Sequence, residues 1–163
     1  MKSIKIAVSV IALALTSSAF AANELVWDAE YNQTQISCGI DYANGVQVGG
    51  ILLKGETGTD NSKAINFVLT SNTAQKNWRL TEAKLTQNTG RFDFADNLMT
   101  VSNRDQTSVF VNNTEYAWTD AAQAQNIAGN TKTLALAPKI NLDAQQMPYG
   151  VSRIQGKLVL TCN

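Results

Sequence analysis

Two acidic pairs, Asp93/Asp96 and Asp105/Glu115, come nearest to a catalytic arrangement in this sequence. Acid-base hydrolysis needs two carboxylates held across a cleft in different environments. Here Asp93 alternates with Phe92 and Phe94, so a strand would turn its carboxylate to solvent. Histidine is absent altogether, which removes Ser-His-Asp and Cys-His nucleophile pairs and imidazole metal sites. Asp60-Asn61-Ser62 offers oxygen ligands without the spaced acids and terminal Glu of a calcium loop. Gly45 to Gly50 has the wrong spacing for a phosphate-binding loop and no helix after it. Equal numbers of acidic and basic groups, 13 each, leave no electrostatic footprint for nucleic acid. The expectation is a protein without enzymatic activity, metal or cofactor.

Aromatic and sulfur side chains carry what remains. Trp27, Trp78 and Trp118 are among only 12 aromatic residues. Such rings stack on sugars or anchor cores. Trp78 is expected in the core, while Trp27 and Trp118 stay open as ligand contacts. Cys38 and Cys162 are an even pair without the C-x-x-C spacing of a redox motif, so they are expected to form one structural disulfide. Bridged Cα atoms lie about 5.5 to 6 Å apart, which would make the first and last regular segments spatial neighbours. Asn32-Gln33-Thr34 and Asn112-Asn113-Thr114 match the N-glycosylation pattern, an accidental match if the protein is bacterial.

A disulfide presupposes an oxidising compartment, and the N-terminus supplies the route to one. Lys2 and Lys5 precede an apolar run from Ile6 to Leu15, and Ala19 and Ala21 fit the small-x-small cleavage rule. Residues 1–21 are thus expected to be a signal peptide of bacterial type, and residues 22–163 a single exported domain. Its destination would be the periplasm, the cell surface or the medium. Removing 1–21 leaves 11 basic against 13 acidic groups, a net charge of about −2, and no second apolar segment suggests a membrane span. Asn, Gln, Ser and Thr make up about a third of the chain.

Periodicity points to strands throughout. Leu25, Trp27, Ala29 and Tyr31 alternate with Glu24, Asp28 and Glu30, and Ile36, Cys38 and Ile40 repeat the pattern before Asn44-Gly45, a hairpin-turn dipeptide. Further strands are expected over 46–53, with Gly49-Gly50 marking a bulge or close backbone approach, and over 65–70. The pattern continues at Trp78 and Leu80, at Phe92 and Phe94, over 107–111, over 133–142 with an edge or bend at Pro138, and over 154–162. Thr119 to Ala128 is the one stretch suited to a short helix, capped by Thr119 and ended by Gly129, though a loop fits it equally. Eight or nine short strands with at most one short helix predict an all-β, Ig-like antiparallel β-sandwich.

The segment Glu24-Leu25-Val26-Trp27-Asp28-Ala29-Glu30-Tyr31, together with Ser37-Cys38-Gly39-Ile40-Asp41 and with Pro148-Tyr149-Gly150 leading into Gly156-Lys157-Leu158-Val159-Leu160, resembles chaperone-usher pilins and fimbrial-like subunits. The resemblance implies a non-enzymatic structural or adhesive surface subunit of a fimbrium, polymerising with like subunits through a periplasmic chaperone and an usher. It also implies that residues 22–34 are a donor-strand extension, with Leu25, Trp27, Ala29 and Tyr31 inserted into a neighbour. The sequence departs from the family in placing its second cysteine at Cys162, where the family has a penultimate aromatic residue.

Strand donation has its own physical basis: an alternating peptide supplies ladder hydrogen bonds to an open edge and fills pockets with every second side chain. The same segment would serve equally as the domain's own first strand. The product would then be a self-contained periplasmic or secreted binding module, with Trp27 or Trp118 contacting a glycan or protein.

Overall fold

The computed structural model describes residues 37–45, 47–59, 62–128 and 132–163. The expected signal peptide, the 22–34 extension with Leu25, Trp27, Ala29 and Tyr31, and Val46, Asp60, Asn61 and Gly129 lie outside the described residues. Eight strands are seen: β1 (Cys38–Tyr42), β2 (Ile65–Ser71), β3 (Lys76–Gln87), β4 (Thr107–Val111), β5 (Thr114–Tyr116), β6 (Gln125–Asn126), β7 (Thr133–Ile140) and β8 (Arg153–Cys162). One helical turn, α1 (Trp118–Ala121), joins them. All strand ladders are antiparallel, in a five-stranded sheet ordered β1-β2-β7-β4-β5 and a three-stranded sheet ordered β6-β3-β8. The expected all-β sandwich-like fold is what forms.

Period-two alternation explains which residues face the core between the sheets. From the larger sheet Leu69, Val109, Val111, Leu134 and Ile140 point inward, and from the smaller Trp78, Leu80, Ala83 and Leu85 do. The last four are spaced 2, 3 and 2 because β3 carries an extra residue opposite Gly156, where Glu82 has φ 57°. This bulge restores Ala83 and Leu85 to the inner face. It brings the two backbones so close that a Cβ on Gly156 would stand 2.9 Å from the Cα of Ala83. A second, smaller cluster of Leu52, Ala64, Phe110 and Ala137 lies on the outer face of the larger sheet, which is why all five residues of β4 are buried.

Five expectations change. Of the expected 46–53 strand, the described residues 47–53 form none, because Gly49 and Gly50 press against the Lys63 backbone and side chain, and the Gly50 N–H donates to the Lys63 carbonyl at 2.9 Å. Only Leu52 bridges, in parallel, to Lys139. Consequently Asn44-Gly45 makes a 3-10 turn with Gly45 at φ 70°, but no hairpin, and β1 pairs with β2. Phe92 and Phe94 form no ladder; their rings stack on each other at 5.0 Å, and β3 is reached only by a bridge from Asn97 to Lys84. The helix is a single turn starting at Trp118, since Gln125 and Asn126 are drawn into the ladder with Trp78 and Asn77.

Pro138 is the fifth, because β7 lies in the middle of its sheet. The β2 ladder ends at Leu136, and beyond it the Leu52 N–H donates to the Pro138 carbonyl at 2.8 Å. A strand residue's N–H and C=O point the same way, so the missing donor of Pro138 faces the side where β2 no longer runs.

Candidate functional site

Among the described residues β1 is an edge of the larger sheet, and β8 is an edge of the smaller. The Cys38–Cys162 disulfide ties them, with Cα atoms 5.8 Å apart. β1 leaves the bridge with its first residue, whereas β8 arrives at it with its last. The two edges therefore share one covalently closed end and part beyond it. Between them lies a cleft of about 730 Å³.

Inner-face side chains line this cleft. Ile40 pairs across the ladder with Leu69 and Tyr42 with Phe67, which puts Ile40 and Tyr42 on the inward side of β1. Leu69 is 5% exposed, yet Ile40 is 36% and Tyr42 39% exposed. Their faces are core faces that no strand of the opposite sheet covers among the described residues. On the facing wall Ile154 and Leu158 of β8 are only half buried, whereas their β3 partners Leu85 and Leu80 are buried. The floor reaches Leu80, Ala83 and Trp118. Val48 and Val151, exposed at 79% and 61%, stand at the same cleft.

The third wall is residues 47–50, fixed from behind by an ion pair. Lys63 Nζ donates to both carboxylate oxygens of Glu56, at 2.8 and 2.5 Å, and the Leu53 N–H donates to Glu56 at 2.6 Å. The Lys63 hydrogen bond first, then that of Leu53, holds the Glu56 carboxyl below its ordinary pKa of 4.5. Lys63 in turn supports Gly50 through its backbone carbonyl.

Trp118, open from the sequence as a ligand contact, is 2% exposed. Its indole N–H donates to Thr107 Oγ1 at 3.1 Å, and Thr107 Oγ1 donates to the Lys139 carbonyl at 2.7 Å. It is therefore a buried part of the cleft floor and not an outward-facing platform. Trp78 is buried too, edge-on to Tyr116 with ring centroids 5.1 Å apart. Sequence reasoning missed the cleft walls Ile40, Tyr42, Ile154 and Leu158. The signal available was that both terminal strands alternate apolar residues while being joined by the disulfide.

The acidic pairs differ in their surroundings. Asp93, Asp96 and Asp105 are exposed. Glu115 instead accepts from Ser108 Oγ at 2.6 Å and lies 3.7 Å from Lys139 Nζ, which sits 5.6 Å from the Phe110 ring centroid. Among the described residues no three His, Cys, Asp or Glu side chains gather as a metal site would require, and no helix is long and apolar enough to cross a membrane. Among the described residues the cleft presents two strand edges and exposed apolar side chains on an inner face, the features by which sheet edges accept an extended apolar segment. No protein-family model matches the sequence, and no curated protein or solved structure matches the chain, so its function is read from this geometry and from the residues alone.

Proposed function

We propose that the protein is a non-enzymatic exported subunit, fimbrial (pilin)-like, that assembles by β-strand donation. Residues 24–31 of one copy enter the cleft between β1 and β8 of the next, with Leu25, Trp27, Ala29 and Tyr31 turned toward the core. A periplasmic chaperone would occupy the same cleft before assembly, an usher would order the polymer, and the cell surface is its destination. The single observation that carries this reading is the exposure of Ile40 and Tyr42 on the inward side of an edge strand. A self-complete sandwich covers such positions, because each buried large apolar side chain is worth about 1.5 to 3 kcal/mol.

Length supports the match. The wall of the cleft opposite β1 runs from Val151 and Ser152 through Arg153 to Leu158 of β8, eight residues in all, and the alternating segment 24–31 is also eight residues long. At about 3.3 Å per residue each extends roughly 26 Å. Burial of Trp118 weakens the rival reading as a glycan-binding module, since it takes away one of that reading's two aromatic contacts.

Deletion of residues 22–31 tests the proposal. The full chain is expected to give ladders in unheated detergent gels, and the shortened chain to remain folded and monomeric. Collapse of the shortened chain would show that the segment completes its own sheet, and strand exchange would be rejected.

A further inference from the structure

The outer face of the smaller sheet is basic. Inner and outer residues alternate along β8, so Arg153, Gln155 and Lys157 turn outward while Ile154, Leu158 and Leu160 pack on the core. On β3 the neighbouring outward positions include Arg79, opposite Val159, and Lys84, opposite Gln155. All four cations are exposed, and Glu82 is the acid that meets them, 2.6 Å from Lys157 Nζ. The β1 rim of the cleft has the opposite sign, carrying Asp41.

The segment 24–31 is complementary to that face. When Leu25, Trp27, Ala29 and Tyr31 face the core, its outward row is Glu24, Val26, Asp28 and Glu30. Glu24 and Asp28 are four residues apart, as are Arg153 and Lys157, so both spans are about 13 Å in extended chain. A strand laid along β8 in either direction therefore sets both carboxylates opposite both cations at once.

Resting on the strand-donation reading, we propose that the basic outer row of β8 selects the acidic donor segment of a second copy, directing it to the β8 edge and fixing its register. Apolar pockets alone leave a slip of two residues open, because every second side chain still points inward. The charge row closes that option: a two-residue slip moves at least one carboxylate off its cation. Opposite charges placed directly across a ladder attract and like charges repel, so Asp41 turns the same row away from β1. Arg153 carries the larger share, since Lys157 is already engaged by Glu82.

The test follows uptake of a fluorescent peptide of residues 22–34 by the monomeric fraction of the full chain, whose cleft holds no neighbour's strand, by anisotropy, at 0.02 M and 1 M salt. Exposed charges interact over roughly 10 Å at 0.1 M salt but only about 3 Å at 1 M. At low salt Arg153→Glu with Lys157→Glu is expected to slow association about tenfold or more, and 1 M salt to shrink the difference below about twofold. A peptide with Glu24→Lys, Asp28→Lys and Glu30→Lys should be refused by the native chain and accepted by the doubly reversed one. Arg153→Gln, a milder change, should give a smaller loss in the same direction if the reversal impairs folding. Uptake of the native peptide at rates indifferent to salt and to both reversals would overturn the charge selection and leave strand donation standing. Absence of uptake by the native chain at either salt would overturn both.

Discussion

Replacing Cys38 and Cys162 together by alanine removes the covalent link at the closed end of the cleft and little else. Cys38 is exposed and Cys162 half buried, so few packing contacts leave with the sulfur atoms. The bridge spans 124 residues, nearly the whole folded unit. For such a loop the chain-entropy relation gives a denatured state about 4.9 kcal/mol freer once the link is cut. Removing a native disulfide typically costs about 2 to 5 kcal/mol, and the long loop puts this one in the upper part of that range, so a loss of about 3 to 5 kcal/mol is expected. A folded unit of roughly 130 residues has an unfolding entropy near 0.27 kcal/mol/K, which converts the loss to about 11 to 18 °C in Tm. Urea unfolding of both proteins measures it and separates the causes. If the bridge acts on the denatured chain, the variant's m-value rises, because its unfolded state is more expanded. If it acts by holding native contacts, the midpoint falls at constant m. In hydrogen exchange the amides that face across the β1–β2 ladder, those of Gly39 and Asp41 with Thr70 and Val68, should lose protection first. A loss below about 1 kcal/mol with unchanged m would refute the reasoning that this staple secures the domain.

Gly49→Ala places a Cβ 2.3 Å from the Lys63 carbonyl oxygen and should cost about 1 to 3 kcal/mol in urea unfolding, whereas Gly90→Ala meets nothing within 4 Å and should be neutral or slightly stabilising. Equal effects of the two would show that close approach is not the reason for glycine at 49. Trp118→Phe removes the N–H that Thr107 Oγ1 accepts and should destabilise by about 1 to 2 kcal/mol; no change in midpoint would mean the indole bond contributes nothing. Glu56 has a lowered folded pKa, so its stabilisation is present above its ordinary value of 4.5 and lost as the pH falls below it. Its side chain is 41% exposed and screened by solvent, so the gap between native and Glu56→Gln proteins should be under about 1 kcal/mol at pH 7 and vanish near pH 3; an equal gap at both would contradict the assignment.

Strand positions were legible wherever one face of a strand is buried and the other wet. Ile65 to Leu69 and Trp78 to Leu80 alternate in burial as the sequence does, and so does the end of the last strand from Leu160 to Cys162. The turn chemistry was less well read. Asn112-Asn113 stood out only as a glycosylation pattern, yet at φ 46° and 67° it turns the β4–β5 hairpin, the conformation that two-residue loops favour. Asn44-Gly45 has the better hairpin sequence and makes none, because its following segment is taken up by Lys63 and β7.

By itself the sequence determined the inward faces of most strands, the pairing of its two cysteines and the lack of imidazole chemistry, since each follows from residue type or from a local period of two. Tertiary structure decided which strands became edges. The neighbours of β1 and β8 depend on pairings between residues tens of positions apart, and no local pattern encodes them. For the same reason Ile40 and Tyr42 look like ordinary core residues in the sequence. They line an open cleft only because the two sheets part beyond the disulfide and leave that face uncovered.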